Sequence, residues 1–285
     1  PYPARAMLEN TFCHIPGIGP VTERTLWNGH VLSWADVLTG GLEGTSGRRA
    51  DRLRRYVLES VEALRRDDAR YFYDRLPPRE HWRLFPQFRH TVAYLDIETT
   101  GLGFPDDYIT TIAVYDGQHL FNYVHGENLE EFADDIRNFQ LLVTYNGKAF
   151  DLPFIRWYLG VPMDQAHIDL RHVLGRLGYR GGLKGCERQL GLNRGDLEGV
   201  DGYFAVLLWH EYHQYGDRGA LETLLAYNTT DVVNLETLMV LAYNMNLQET
   251  PFARTHVLPI PETCEIPFQP DMTVVGRIRE EHGWA

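Results

Sequence analysis

The fold of this 285-residue chain is constrained most strongly by four short apolar runs of strand type. One amphipathic helical segment separates the third run from the fourth in the sequence. Three runs come first, at 90–98, 108–117 and 119–126, and the second and third end in glycine turn signals. A segment of helical periodicity then leads into the fourth run, LLVTYNG, and from Phe150 onward the pattern is mostly helical. This order predicts an α/β fold with a mixed sheet flanked by helices.

The chain ahead of this sheet has a different character. A Pro-Gly-Ile-Gly-Pro turn precedes a short amphipathic helix, and Ser33 is a suitable N-cap for a second one. An arginine-rich helix then follows, and Pro77-Pro78 is expected to break it before a linker-like stretch. We expect residues 1–6, ahead of Met7, to be the remnant of a tag or linker. The predicted organisation is an N-terminal helical region at 7–45, the arginine-rich helix and linker at 46–90, the main domain at 91–250 and a C-terminal tail at 251–285.

Charge divides the chain unevenly. The net charge is −12, but residues 1–90 hold 14 arginines and 11 acids, whereas residues 91–285 hold 13 basic and 28 acidic residues. This asymmetry fits an enzyme whose carboxylates hold cations, joined to a basic arm. The sequence contains no apolar run of about 18–20 residues, so no membrane partner is expected. Three scattered cysteines indicate a reducing, cytoplasmic location.

Three acids could form one chemical site. Asp96 and Glu98 lie two apart in an otherwise apolar run, so both side chains project from one face of a strand. They are either solvated at a strand end or compensated by a divalent cation, because burying two unpaired acids is costly. Asp151 follows the fourth run, where it is either a helix N-cap or a further ligand. Asn146, in the same turn, either shapes an Asn-Gly turn or meets the substrate.

Tyr227 and Asp231 are four residues apart in a helical stretch and therefore share one face. Taken singly, they could be a core aromatic and a solvated acid. Asp231 nevertheless has the apolar neighbours Val232 and Val233, and a phenol beside a metal-bound carboxylate could orient an attacking water.

Together these segments carry a family resemblance. LDIETTGL, NGKAFD and YNTTD, in this order, resemble the three exonuclease motifs of the DEDDy branch of DnaQ-like 3′–5′ exonucleases, which have a ribonuclease-H-like fold. Residues 82–245 more closely resemble the YprB-type ribonuclease-H-like family, through WRLF, VAYLDIETTGL, GGLKGCERQLGL and YNTTDVVNLETL.

The resemblance implies a phosphodiesterase with two Mg²⁺ or Mn²⁺ ions, about 3.5–4 Å apart. The implied metal ligands are Asp96, Glu98, Asp151 and Asp231, and Tyr227 would position the attacking water. The implied substrate contacts are Thr99, Thr100, Gly101, Leu102 and Asn146. Lys148 is either a phosphate contact or a plain turn residue, and Lys184 is open to the same two interpretations.

The N-terminal turn resembles part of a helix–hairpin–helix element, whose backbone N–H groups contact a DNA phosphate. Gly17, Ile18, Gly19 and Arg24 are the candidate contacts. The first helix of such an element would be short or missing here, and a small packing cap is the alternative.

These observations together predict a metal-dependent 3′–5′ exonuclease acting on single-stranded nucleic acid, with DNA favoured over RNA. A ribonuclease of the same mechanism and a nucleic-acid-binding adaptor with a vestigial site are the alternatives. ATP dependence is not expected, because no phosphate-binding loop of the nucleotide-triphosphate type is present.

Overall fold

A five-stranded mixed sheet forms the centre of the protein. The computed structural model describes residues 7–40, 47–103, 105–197, 199–262 and 264–283; the expected tag remnant at residues 1–6 lies outside these ranges. The strands are β1 (Val92–Thr99), β2 (Ile109–Tyr115), β3 (Leu120–Val124), β4 (Leu141–Thr144) and β5 (Ala166–Asp169). Their spatial order is β3-β2-β1-β4-β5. The first three strands pair antiparallel, and β1, β4 and β5 pair parallel, which confirms the predicted mixed sheet.

Helices surround this sheet on both faces. Within the described ranges the α-helices are α1 (Pro20–Asn28), α2 (Trp34–Thr39), α3 (Gly47–Arg65), α4 (Ala69–Tyr73), α5 (Phe85–Phe88), α6 (Phe132–Asp135), α7 (Asp151–Leu159), α8 (Leu170–Arg176), α9 (Gly182–Gln189), α10 (Gly202–Tyr215), α11 (Arg218–Leu247) and α12 (Met272–Glu281). None of the helices in the described part of the chain is both long and apolar enough to cross a membrane.

Local sequence chemistry explains several helix boundaries. Ser33 caps α2 as predicted: its hydroxyl accepts the N–H of Asp36, and the Asp36 carboxylate accepts the N–H of Ser33 in return. Asp201 caps α10 and Asp217 caps α11 in the same way, through carboxylates that accept free N–H groups of the first turn. The start of the long α11 is thus defined by its cap.

The structure differs from the sequence prediction in three elements. β5 lies in a region that was expected to be helical, and it adds an edge strand parallel to β4. The arginine-rich helix ends at Arg65, well before Pro77, and α4 follows as a separate short helix. The stretch expected to be linker-like contains a 3₁₀-helix, Pro78–Leu84, followed by α5. Its apolar side chains are buried: Trp82, Leu84, Phe85 and Phe88.

The N-terminal region shares the largest hydrophobic cluster with the main sheet. Phe12 and Trp34 belong to the same cluster as Tyr94 of β1 and Val143 of β4. On the other face, α7 and the short helices around Phe132 cover the sheet in a second cluster. A third cluster joins α10, α11 and α12, so the segment after residue 251 is also partly packed.

Polar contacts fasten the N-terminal region to distant parts of the chain. The guanidinium of Arg83 donates to both carboxylate oxygens of Glu23 at 2.9 Å, and both side chains are buried. His256 and Asn10 are joined by a hydrogen bond of 2.9 Å, and the ring of Trp27 meets that of Phe252 edge-on, with centroids 5.6 Å apart.

Candidate active site

The central strand β1 supplies two acids to one face of the sheet. Asp96 and Glu98 alternate with the buried Ile97 and Thr99, and both acids are only partly buried. The register with β2 shifts between Glu98 and Thr99, so a bulge ends regular pairing immediately after the second acid. This places the two carboxylates where the strand opens into the loop Thr100–Gly103.

Asp151 reaches the same place from the first turn of α7. The helix begins at this residue, and its carboxylate accepts its own backbone N–H and, at 3.2 Å, the N–H of Ile97. Asp151 is buried. A bond of this kind fixes the carboxylate of α7 directly beside the backbone of β1, between the two acids of that strand.

The long helix α11 contributes a third element. Tyr227 and Asp231 lie one turn apart on it, and both are buried. Between them, the amide of Asn228 donates to Asp96 at 2.7 Å and accepts the hydroxyl of Thr111 at 3.0 Å. Asn228 therefore holds Asp96 in place, a role that no sequence signal indicated because 132 residues separate the two.

The acids are close enough to share a cation. One carboxylate oxygen from each of Asp96, Glu98 and Asp231 lies within 4.8 Å of the other two. Asp151 lines the same cleft but is not part of this group of three. Hard oxygen donors at such separations suit Mg²⁺ or Mn²⁺, so the residues present fit a divalent metal.

Electrostatics leads to the same conclusion. Burial raises the pKa of Asp96 well above its ordinary value, and the neighbouring carboxylates of Asp231, Asp151 and Glu98 raise it further. Burial likewise raises the pKa of Glu98 well above normal, and it raises that of Asp151 to about 7. The carboxylates disfavour one another's ionised forms, and a bound cation would remove that repulsion.

Two basic side chains, Lys184 and Arg194, contact residues of the site. The ammonium of Lys184 donates to the phenol oxygen of Tyr227 at 2.8 Å and to the carbonyl of Val200. Arg194 donates to the two oxygens of Glu187 at 2.6 and 2.8 Å and forms an ion pair with Asp231. Burial alone would lower the pKa of Arg194, but Asp231 and Glu187 raise it above its ordinary value. Sequence reasoning left the role of Lys184 open and missed Arg194.

The four acids and Tyr227 line a cleft of about 1310 Å³. All five predicted catalytic residues line it, together with Thr99, Thr100, Gly101, Leu102 and Asn146. Leu102 is 82% exposed, so its side chain is accessible from solvent. The structure thus brings the predicted catalytic residues and most of the predicted substrate contacts into one continuous surface.

Lys148 and Asp169 do not line the cleft that contains the four acids. Lys148 is exposed and lines a smaller neighbouring cavity together with His81 and His167, not the cleft that contains the acids. The carboxylate of Asp169 accepts the N–H groups of Asn146, Lys148 and Arg171 at 2.8, 3.1 and 3.0 Å. Asp169 is therefore the cap that fixes the turn carrying Asn146.

The N-terminal turn does not line the cleft. Gly17 has a φ of +82°, which suits glycine, and α1 begins at Pro20 immediately after the turn. The guanidinium of Arg52 donates to the carbonyl of Pro16, and Arg24 lines a separate cavity. Before the turn, the described residues form only one 3₁₀ turn, Met7–Asn10.

The family follows from comparison with known proteins. The family model described as the RNase_H superfamily matches residues 93–243, more than half of the chain, and the chain belongs to this family. Its fold and its acidic cluster are those of a nuclease class that uses divalent metals and acts on nucleic acid.

The individual proteins that the chain resembles share low sequence identity with it. The chain is 28% identical over 191 residues to the Uncharacterized protein YprB of Bacillus subtilis (strain 168), in line with the YprB-type resemblance of the sequence. The alignment covers 59% of this chain and 46% of YprB, so the chain spans less than half the length of that relative. The structure of the family B DNA polymerase from the hyperthermophilic archaeon Pyrobaculum calidifontis aligns with a TM-score of 0.41 at 18% identity, over 59% of this chain and 27% of the polymerase.

Proposed function

We propose that the protein is a metal-dependent 3′–5′ exonuclease that hydrolyses phosphodiester bonds at single-stranded ends, with DNA preferred over RNA. The observation that carries this proposal is the group of carboxylate oxygens from Asp96, Glu98 and Asp231 within 4.8 Å of one another. Asp151 and Tyr227 line the same cleft. A set of four acids and one tyrosine, supplied by a strand and two helices, agrees with the DEDDy pattern in the sequence.

Asp96, Glu98, Asp151 and Asp231 would hold two ions, Mg²⁺ or Mn²⁺. When bound, such ions polarise the phosphodiester and activate a water molecule. Two of these carboxylates are also positioned by hydrogen bonds from the protein itself. The side-chain amide of Asn228 donates to Asp96, and the N–H of Ile97 donates to Asp151. Preorganisation of this kind reduces the reorganisation that the reaction requires.

Tyr227 is suited to orient the attacking water. Lys184 has only donor protons, so the phenol oxygen of Tyr227 accepts the bond between them. The phenolic O–H is consequently left to donate toward the cleft, where a water or a phosphate oxygen would accept it. The loop Thr99–Leu102 would meet the terminal nucleotide, with Asn146 beside the strand.

The N-terminal turn is the basis of the preference for DNA. The backbone N–H groups of Gly17 and Gly19 would contact a phosphate, and Arg24 would add charge nearby. The N–H of Ile18, also expected as a contact, is already donated to the carbonyl of Ile15 at 2.9 Å. Support comes from the exposure of Gly17 and Gly19 and from the position of Arg52 beside the turn.

The decisive experiment follows the shortening of single-stranded DNA and RNA of matched sequence, each labelled at either end, in Mn²⁺, Mg²⁺ or EDTA. We expect loss of nucleotides from the 3′ end in either metal and none in EDTA. Asp96→Asn, which keeps the shape but removes the charge, should abolish cleavage. Asp134→Asn is the matched control, because the Asp134 side chain is 86% exposed on α6.

Each other outcome has a definite meaning. Preferential shortening of RNA would assign the same chemistry to a ribonuclease. Endonucleolytic fragments would contradict the exonuclease proposal. Binding of nucleic acid without cleavage in any metal would favour an adaptor with a vestigial site.

A further inference from the structure

One wall of the cleft is basic. Arg171 and Arg176 belong to α8, and Arg180 follows in the turn before α9; all three line the cleft that contains the acids, and all three are exposed. Among the described residues, no carboxylate forms an ion pair with any of them, whereas Arg218 and Arg277 on the helices beyond are both paired with acids. The wall is thus a concentration of positive charge without a direct carboxylate partner among the described residues, in a strongly acidic part of the chain.

The three arginines are spaced along the wall instead of clustering at one point. Arg171 and Arg176 are five residues apart on a helix, which corresponds to about 7.5 Å along its axis. Arg180 extends the row into the following turn. Side chains distributed in this way contact successive charges of a polyanion better than they contact a single ion.

An aromatic side chain adds a second kind of surface. Tyr203, in the first turn of α10, lines the same cleft and is 57% exposed. An exposed aromatic ring beside a positive groove is the combination with which proteins bind single strands, because bases stack on the ring whatever their identity. The cleft volume of about 1310 Å³ also exceeds the roughly 300–1,000 Å³ of small-molecule sites.

We propose that this wall binds the single strand on its way to the acidic cluster. Arg171, Arg176 and Arg180 contact phosphates on the 5′ side of the terminal nucleotide, and Tyr203 stacks on a base. The hydrogen bond from the Arg171 guanidinium to the side-chain oxygen of Asn146 connects the wall to the turn that precedes Asp151. The inference rests on the proposed function, because it takes the acidic cluster as the point where the strand ends.

The charge component is tested by binding of a 5′-fluorescein-labelled single strand to the full chain in Ca²⁺ at several salt concentrations, with the strand checked for integrity on a gel. The variant Arg176→Ala/Arg180→Ala should bind about tenfold more weakly at 0.1 M salt, and its slope of log K against log salt should be about 1.4 smaller, at about 0.7 per phosphate contact. Arg137→Ala/Arg254→Ala removes the same charge from exposed positions outside the cleft and should change neither quantity. Arg176→Lys/Arg180→Lys should keep most of the slope, because it retains both charges.

The stacking component has its own pair of variants. Tyr203→Ala should weaken binding about tenfold, within the range for the loss of one stacked base, and should leave the salt slope unchanged. Tyr203→Phe retains the ring and should bind as the parent protein does. Because the wall contacts phosphates and base faces, the losses should be similar for DNA and RNA strands.

The outcomes separate this inference from the proposed function. If the parent protein cleaves a strand in Mn²⁺ but the wall and control variants bind equally well, the wall inference is wrong and the exonuclease proposal stands. If binding depends on the wall but no metal supports cleavage, the exonuclease proposal fails and the wall stands. Absence of binding by the parent protein in Ca²⁺ overturns the wall inference, and absence of cleavage as well overturns both.

Discussion

At the residue scale, Arg194 is a buried counter-ion of two acids. Its buried guanidinium is bonded to Glu187 and paired with Asp231, so its loss would leave two buried acids without their counter-ion. We expect Arg194→Met to lower the free energy of unfolding by about 3 kcal/mol, because removing one partner of a buried ion pair leaves the other charge buried and unpaired. Urea unfolding in EDTA measures this difference.

A surface arginine provides the comparison for Arg194. Arg137→Met removes a side chain that is 69% exposed and paired with an exposed acid, so the expected change is well below about 1 kcal/mol. Equal losses for the two variants would show that Arg194 is not a structural counter-ion of the site.

His14 makes stability depend on pH. It is buried, its Nε2 bonds to the hydroxyl of Ser60 at 2.8 Å, and its ring lies beside Trp34 and Phe72. Burial, followed by the charges of Arg75 and Arg83, lowers the pKa of His14 to about 3. Between that value and 6.5 the unfolded chain binds a proton that the folded protein does not.

The sign of the His14 effect follows directly. Stability is unaffected by His14 above pH 6.5 and falls by about 1.4 kcal/mol per pH unit as the pH drops below it. Unfolding curves at pH 7, 6 and 5 should therefore show a shallower loss for His14→Phe than for the parent protein. His210→Phe, at an exposed position on α10, should keep the parent slope; identical slopes in all three proteins would refute the assignment.

At the element scale, the turn between β4 and α7 has no room for a Cβ at Gly147. A Cβ added at Gly147 would overlap the hydroxyl of Thr144 and lie 2.7 Å from its Cβ. Gly147→Ala should therefore cost about 1–3 kcal/mol of stability and displace Asp151, which begins the next helix. Thermal unfolding and Mn²⁺ titration of the variant measure the two effects.

The matched glycine is Gly202, in the first turn of α10. A Cβ there meets nothing within 4 Å, and alanine favours a helix more than glycine does, so Gly202→Ala should be neutral or slightly stabilising. If Gly147→Ala behaved in the same way, the turn would be adaptable and not tightly fixed.

Elements with a clear period were predictable from the sequence, and the others were not. β1 to β4 and α11 follow from apolar alternation and periodicity, and the acids of β1 stood out because they interrupt an apolar run. β5 was missed because four residues, AHID, lead directly into α8 and are too few to display a period. Asn228 and Arg194 were missed because their roles depend on contacts that only the folded chain brings together.

At the scale of the whole molecule, the N-terminal region is part of the main body. Phe12, Trp27 and Trp34 are buried in the cluster that also contains Tyr94, so deleting this region would remove part of the core. Its proposed contact with DNA is therefore better tested by a point variant than by truncation.

Arg24 is the appropriate position for that test, because it is exposed on α1. Arg24→Ala should weaken binding of DNA and reduce the salt slope by roughly 0.7–0.9, the contribution of one phosphate contact. Arg254→Ala, exposed in the C-terminal segment, is the matched control and should leave the slope unchanged. A parent-like slope for Arg24→Ala would leave the turn with a packing role only.

The bond between Asn10 and His256 has a consequence for the order of events during synthesis. A ribosome that adds about 5–20 residues per second needs roughly 12–50 seconds to pass from one of these residues to the other. For most of that interval Trp27 has been synthesised, but Phe252, whose ring meets the indole edge-on, has not. The surface around Trp27 is thus completed late, and nascent chains stalled before residue 252 would expose its aromatic face to chaperones.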